Sequence, residues 1–332
     1  MKVFLTGAEG FIGSHLLEKL VKKGFSIKAF SKYHFQNHQG WIESIDKNIL
    51  KKVEIINGDI RDPFEIYKAM IGCDYVINLA ALIGIPYSYI APKNYVDTNV
   101  VGTLNILEAA KKIDNEKKII LTSTSEVYGT AQKVPITEEH RLNAQSPYAA
   151  TKVASDFLGI SYYHSFNLPI SIIRPFNTFG PRQSARAIIP SILIQVLSGQ
   201  KKIKLGNLNP TRDFCFVDDT AEAFYKSLVT KKNISGKIIN VSSGYEFSVR
   251  EICQYIKQIT KKEFSIITER KRIRENNSEV ERLLGSNKKA KKYLDWKPKY
   301  IKKKGFCLGL KKTIDWFNTD ENLSKYKKIY NL

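Results

Sequence analysis

The sequence predicts an α/β fold: a doubly wound parallel sheet joined to a smaller C-terminal α/β lobe. Three observations carry this. Short apolar runs alternate with amphipathic stretches from residue 2 to about residue 175, the pattern of successive βαβ units. The first run, K-V-F-L-T, leads straight into G-A-E-G-F-I-G and then a helical stretch, S-H-L-L-E-K-L-V-K-K. The run Y-V-I-N-L-A-A at 75–81 is apolar almost throughout, as befits a strand covered on both faces.

Residues 2–6 make the first strand, and Gly24 stops the helix that follows the turn. Gly7, Gly10 and Gly13 are spaced GxxGxxG. Glycines between a strand and a helix let backbone N–H groups and the helix N-terminus approach a pyrophosphate, so the sheet is read as Rossmann-type and dinucleotide-binding. The second strand, 26–30, runs on into Ser31, Lys32 and Tyr33. In NAD-binding units this strand usually ends in an acid for the ribose 2′-hydroxyl. None follows it here, and hydroxyl and ammonium groups suit a 2′-phosphate, so NADP is expected in preference to NAD. The third strand, 53–60, carries Asp59, and a helix begins near Pro63. The fourth strand is 75–81; Asn99 lies in the helical stretch after it. The strand 118–124 then delivers Thr124, Ser125 and Glu126 to a carboxyl end, where ligands of such sheets bind.

Y-A-A-T-K follows about twenty residues later. Tyr148 and Lys152 are four apart, so on a helix they share a face. An ammonium beside a phenol favours the phenolate, making a base able to take a proton from a substrate hydroxyl near neutral pH. The strand 169–175 closes this part of the sheet.

Beyond it the pattern loosens. A helix at 187–198 and a strand at 202–206 precede P-T-R-D-F-C-F-V-D-D, which reads as a strand returning to the sheet with a helix after it. A strand at 237–241 and a helix at 248–260 follow. The expected division is a dinucleotide domain at 1–174, with 213–245 returning to it, and a substrate lobe at 175–332. The cleft between them would hold substrate.

Composition narrows the partners. Cys73, Cys215, Cys253 and Cys307 form no CxxC, and no HExxH occurs, so neither a disulfide framework nor a metal site is expected. No signal peptide or membrane-spanning run is visible, which points to the cytoplasm and away from a membrane. The net charge is +21, but the lysines are scattered in pairs without interleaved aromatics. That favours a small polyanion such as a nucleotide diphosphate over specific nucleic acid.

Taken in order, T-G-A-E-G-F-I-G, G-D-I-R-D, N-L-A-A, S-T-S-E-V-Y-G, S-P-Y-A-A-T-K, R-P-F-N-T-F-G-P-R and R-D-F-C-F-V-D-D resemble the extended short-chain dehydrogenases/reductases over essentially the whole chain. Within them, a glutamate before V-Y-G marks the nucleotide-sugar 4,6-dehydratases; sugar 4-epimerases usually carry a small residue there, and a UDP-sugar 4-epimerase is the alternative reading. A-A-L-I-G-I-P-Y-S-Y and S-E-V-E-R-L are similar to the dehydratases that open legionaminic acid synthesis from UDP- or GDP-linked N-acetylglucosamine. The resemblance implies a tightly bound NADP or NAD that is not consumed. It implies cofactor contacts from Gly7, Gly10, Phe11, Ile12, Gly13, Ser31, Lys32, Asp59 and Ile60, then from Leu79, Ala80, Ala81, Asn99, Thr122, Tyr148, Lys152 and Pro175. It implies catalysis by Thr124, Ser125, Glu126, Tyr148 and Lys152, and substrate contacts from Thr124, Asn177, Arg212 and Arg274. Ser125 stands where dTDP-glucose dehydratases carry an aspartate that protonates the leaving hydroxyl; GDP-mannose dehydratases resemble this chain in having serine. A serine hydroxyl is too weak an acid for that step. Either Glu126 returns its own proton, or a water held by Ser125 supplies one. The family also implies a homodimer or higher homo-oligomer, paired through apolar stripes near 97–113 and 148–166.

Overall fold

A computed structural model of the protein describes residues 1–113, 117–273 and 278–327. Its centre is a seven-stranded parallel sheet. The strands are β1 (Lys2–Thr6), β2 (Ser26–Lys32), β3 (Val53–Gly58), β4 (Tyr75–Asn78), β5 (Lys118–Thr122), β6 (Ile170–Pro175) and, after β7–β9 in the lobe described below, β10 (Ile238–Val241). They lie in the order β3-β2-β1-β4-β5-β6-β10. The first six form the doubly wound dinucleotide-binding arrangement, with the switch of direction between β1 and β4. The strand centres are buried on both faces. Val3, Leu5, Ile27, Ile77 and Ile120 meet one core, and Phe4, Val76, Ile119, Ile170 and Ile172 meet the other.

The helix Phe11–Lys22 buries Leu16, Leu17, Leu20 and Val21 on the first core. It ends because Gly24 takes φ +90°, which lets Gly24 and Phe25 donate back to Val21 and Leu20. On the opposite face the helices Pro63–Met70, Gly102–Ile113 and Pro147–Phe166 cover the second core. The strand read at 75–81 is shorter than expected. After Asn78 the Leu79 N–H is shared between Thr6 O, at 3.3 Å, and the Thr6 hydroxyl, at 3.1 Å, and the Ala80 N–H turns to that hydroxyl at 3.1 Å, so the ladder ends there.

The lobe holds β7 (Asn177–Phe179), β8 (Lys202–Leu205), β9 (Thr211–Phe216), β11 (Glu246–Ser248), β12 (Ser265–Thr268) and β13 (Arg282–Leu283). The helices Ile188–Leu197, Val249–Thr260 and Lys302–Phe317 enclose its own core of Phe179, Leu193, Phe214, Phe216, Ile256 and Phe306. The stretch read as a strand returning to the main sheet does not do so. β9 pairs with β7, β11 and β13 instead. Asp213 fixes it there: its buried carboxylate accepts from the N–H of Ser243, Gly244 and Gly285 and from the Ser243 hydroxyl. The chain returns one step later. The helix Val217–Val229 packs on Phe11–Lys22, with Lys19 to Glu222 at 2.7 Å, and β10 then extends the sheet beyond β6.

Among the described residues no helix is long and apolar enough to cross a membrane, and no group of His, Cys, Asp and Glu could hold a metal ion. Cys73, Cys215 and Cys253 are buried free thiols, and Cys307 is half-buried.

Candidate active site

At the carboxyl ends of the sheet strands, facing the lobe, lies a cavity of about 750 Å³. That volume suits a cofactor or a drug-sized ligand. Its floor is the glycine turn. Gly7 has φ +66°, and a Cβ on it would sit 2.8 Å from Ala80 N. A Cβ on Gly13 would sit 2.0 Å from Gly7 O, so the turn closes only without side chains. The helix that starts at Phe11 has no side-chain cap, and Gly10, Phe11, Ile12 and Gly13 line the cavity. Uncapped N–H groups at a helix start fit a pyrophosphate.

Of the other residues expected at a cofactor, Lys32, Asp59, Ile60, Leu79, Ala80 and Ala81 line the same cavity, as do Thr122, Tyr148, Lys152 and Pro175. Ser31 and Asn99 do not. Ser31 is fully buried with its hydroxyl turned inward. Asn99 stands behind the wall and braces it: Oδ1 accepts from Leu82 N at 2.9 Å, while Nδ2 donates to Leu82 O and Thr151 Oγ1 at 3.0 Å. The carboxylate of Asp59 is forked onto Arg61, which holds it below the usual carboxylate range.

Beyond the glycine turn the cavity reaches the catalytic candidates. β5 ends at Thr122, and a short 3-10 turn, Ser125–Tyr128, starts where the Thr124 hydroxyl caps Glu126 N at 3.2 Å. Thr124, Ser125 and Glu126 all line the cavity, and Glu126 is only 9% exposed. The helix Pro147–Phe166, capped by Ser146 and opened by Pro147, brings Tyr148 and Lys152 to the same wall one turn apart.

The electrostatics of this pair differ from expectation. Burial pushes the Tyr148 phenol well above its usual range; the Thr124 hydroxyl opposes this, and the negative charge of Glu126 adds to it. Burial also brings the Lys152 ammonium down to about 8, against the pull of Asp156. Both groups have lost water, and that outweighs the mutual effect read from their spacing. Behind Lys152 lies a buried network. Asp156 accepts from Ser123 Oγ at 2.8 Å and from Arg174 Nε and Nη2 at 3.0 and 2.8 Å. Arg174 Nη1 donates to Tyr128 OH, which donates to Asn240 Oδ1, each at 2.8 Å.

The far wall belongs to the lobe. Asn177 lines it, with Nδ2 buried and without a hydrogen-bond partner. Arg212 does not: it sits on β9, donating to Glu279 at 3.2 Å and to Thr211 O. Arg274 falls outside the described residues. From the lobe side Arg186 reaches the cavity, next to Gly84 and 6.0 Å from the Tyr87 ring; Arg182 instead pairs with Glu18 at 2.6 Å. Sequence reading also missed Glu9, which lines the cavity beside Lys32. Only its place inside the glycine turn could have drawn attention to it.

The chain matches the protein family described as GDP-mannose 4,6 dehydratase over residues 4–306. A UDP-N-acetyl-alpha-D-glucosaminuronate decarboxylase of Bacillus cytotoxicus is 32% identical, covering 97% of this chain and 99% of the relative. The UDP-glucuronic acid 4-epimerase of Bacillus cereus, solved with UDP-glucuronic acid and NAD, superposes with a TM-score of 0.84 at 28% identity, over 95% of this chain and 98% of that one. The dTDP-glucose 4,6-dehydratase of Bacillus anthracis, solved with NAD, gives 0.83 at 26% identity, over 97% and 98%.

Proposed function

The chain belongs to the family of nucleotide-sugar 4,6-dehydratases and epimerases within the extended short-chain dehydrogenases/reductases, and from that premise we propose that it is a 4,6-dehydratase of UDP- or GDP-linked N-acetylglucosamine. The observation that carries the reading is Glu126, a nearly buried carboxylate on the wall that holds Thr124 and Tyr148. A 4-epimerase has no task for a base at that point, whereas a dehydratase must take a proton from C5.

A bound oxidised nicotinamide supplies a hydride acceptor and a positive charge that favours the Tyr148 phenolate. Tyr148 takes the proton of the sugar 4-hydroxyl while Thr124 donates to the same oxygen. C4 loses its hydride and becomes a ketone, which acidifies the C5 hydrogen. Glu126 removes that proton. The 6-hydroxyl departs as water, protonated by Glu126 or by a water on Ser125. C6 then regains the hydride and C5 a proton, leaving a 4-keto-6-deoxy sugar with loss of one water. Asn177, with its unpartnered amide, and Arg186 are the groups proposed for the diphosphate, in place of Arg212.

The finer assignments belong to the same proposal. The product would feed legionaminic acid synthesis in the cytoplasm. The enzyme would act as a homodimer, using the faces that leave Val101 and the 63%-exposed Phe157 uncovered. The 4-epimerase remains the second reading, because epimerases are as similar to the chain as dehydratases are.

Product analysis by NMR after incubation with UDP- and GDP-N-acetylglucosamine tests the proposal. A 4-keto-6-deoxy product supports it, and the 4-epimer overturns it. In Glu126→Gln the dinucleotide should be reduced on sugar addition and stay reduced, with no deoxy product released.

A further inference from the structure

We infer that Glu9, inside the glycine turn, is the ribose-recognising acid of this enzyme and selects NAD over NADP, contrary to what Ser31 and Lys32 suggest in sequence. The inference rests on the dinucleotide of the preceding reading but not on its sugar. In NAD-binding units the end of β2 carries a carboxylate for the adenosine ribose 2′-hydroxyl. β2 ends here in Ser31 and Lys32, neither of them an acid. A carboxylate nevertheless stands at that place. Glu9 Oε1 accepts the Lys32 backbone N–H at 3.2 Å, which seats the side chain directly on the strand end. Its other oxygen, Oε2, is buried and has no hydrogen-bond partner.

The surroundings fix this arrangement. Trp41 N donates to Glu9 O at 3.0 Å, and Gly40, at φ +53°, passes so close that a Cβ on it would lie 2.8 Å from Glu9 O. Glu9, Phe30, Lys32 and Asp59 together line this end of the cavity. Burial raises the Glu9 carboxyl, while the Lys32 N–H, the nearby Ser31 hydroxyl and the Lys32 ammonium pull it back towards the charged form. The Ser31 hydroxyl stands beside this carboxylate, and the part of Glu9 that lines the cavity offers an acceptor to the ribose 2′-hydroxyl of NAD. A 2′-phosphate would bring negative charge against the same carboxylate. The Lys32 side chain does not reverse this, because it is solvent-exposed and its charge is shared between Glu9 and Asp59.

Binding measured without any sugar separates this inference from the dehydratase reading. Full-length protein stripped of cofactor is titrated calorimetrically with NAD and with NADP, and the dinucleotide released on denaturing unstripped protein is identified by chromatography. NAD should be the released species and the tighter ligand. Glu9→Gln should gain NADP affinity and Glu9→Ala should lose NAD affinity, each narrowing the ratio about tenfold or more, as expected for one charge-assisted hydrogen bond. The ratio is taken within each variant, so a general loss of stability cancels. Tighter NADP binding by the wild type, or a ratio unmoved in both Glu9 variants, overturns the assignment.

Discussion

Lys152 is fully buried on the helix Pro147–Phe166, and its ammonium is brought from 10.5 to about 8. The unfolded chain therefore holds this proton across a range where the folded chain has released it. Stability rises as the pH climbs from about 8 towards 10.5, and below about 8 the folded state bears the full penalty, on the order of 3 kcal/mol. Lys152→Met removes that penalty and keeps the stem. It should raise the unfolding free energy read from urea melts near neutral pH by about 1–3 kcal/mol, and abolish turnover. A variant less stable than the wild type at pH 7 would contradict the account. Tyr148, Lys152 and the Thr124–Glu126 cluster were legible in the sequence because their spacing and strand-end position are local properties. Glu9 was not: its role comes from a backbone contact with Lys32, twenty-three residues away, which no spacing within the turn announces.

The glycine turn and its helix behave as one element. Gly13 faces Gly7 O so closely that any side chain must move backbone, and backbone has nowhere to go between β1 and β4. Gly13→Ala should destabilise the protein by about 2 kcal/mol or more and weaken dinucleotide binding beyond that loss. Thermal melts with and without NAD check this: the ligand-induced rise in Tm should shrink or vanish in the variant. The parallel strands were readable as apolar runs, with ends in error where a side chain diverts the ladder, as Thr6 diverts β4. The destination of β9 was not readable. Its buried run Phe214–Phe216 would suit either sheet, and the deciding contacts come from Ser243, Gly244 and Gly285, all remote in sequence. Arg212 stands away from the cavity for the same reason, since a residue on β9 travels with it.

Over the whole molecule, 53 Lys and Arg against 32 Asp and Glu leave +21. Many of the described ion pairs involve exposed side chains, which contribute little to stability. On the proposed function the excess should make a field that draws in a nucleotide diphosphate, and salt screens such fields. The KM for the sugar nucleotide should rise several-fold between about 0.05 and about 0.5 M salt while kcat holds, read from initial rates. A KM indifferent to salt would mean that local contacts alone capture the substrate. The path of the chain has a further consequence. It leaves the sheet after β6, returns through Val217–Val229 and β10, leaves again for β11, and comes back with Lys288–Leu294 and the buried Trp296, whose indole donates to Asp219 O at 2.9 Å. A fragment ending near residue 174 would lack β10 and the helix over Phe11–Lys22, stripping one edge and one face of the sheet at once. The two halves are thus stitched rather than hinged. Excising either half should leave the other with an uncovered core, so drift in specificity is expected to pass through loops rather than through exchange of halves.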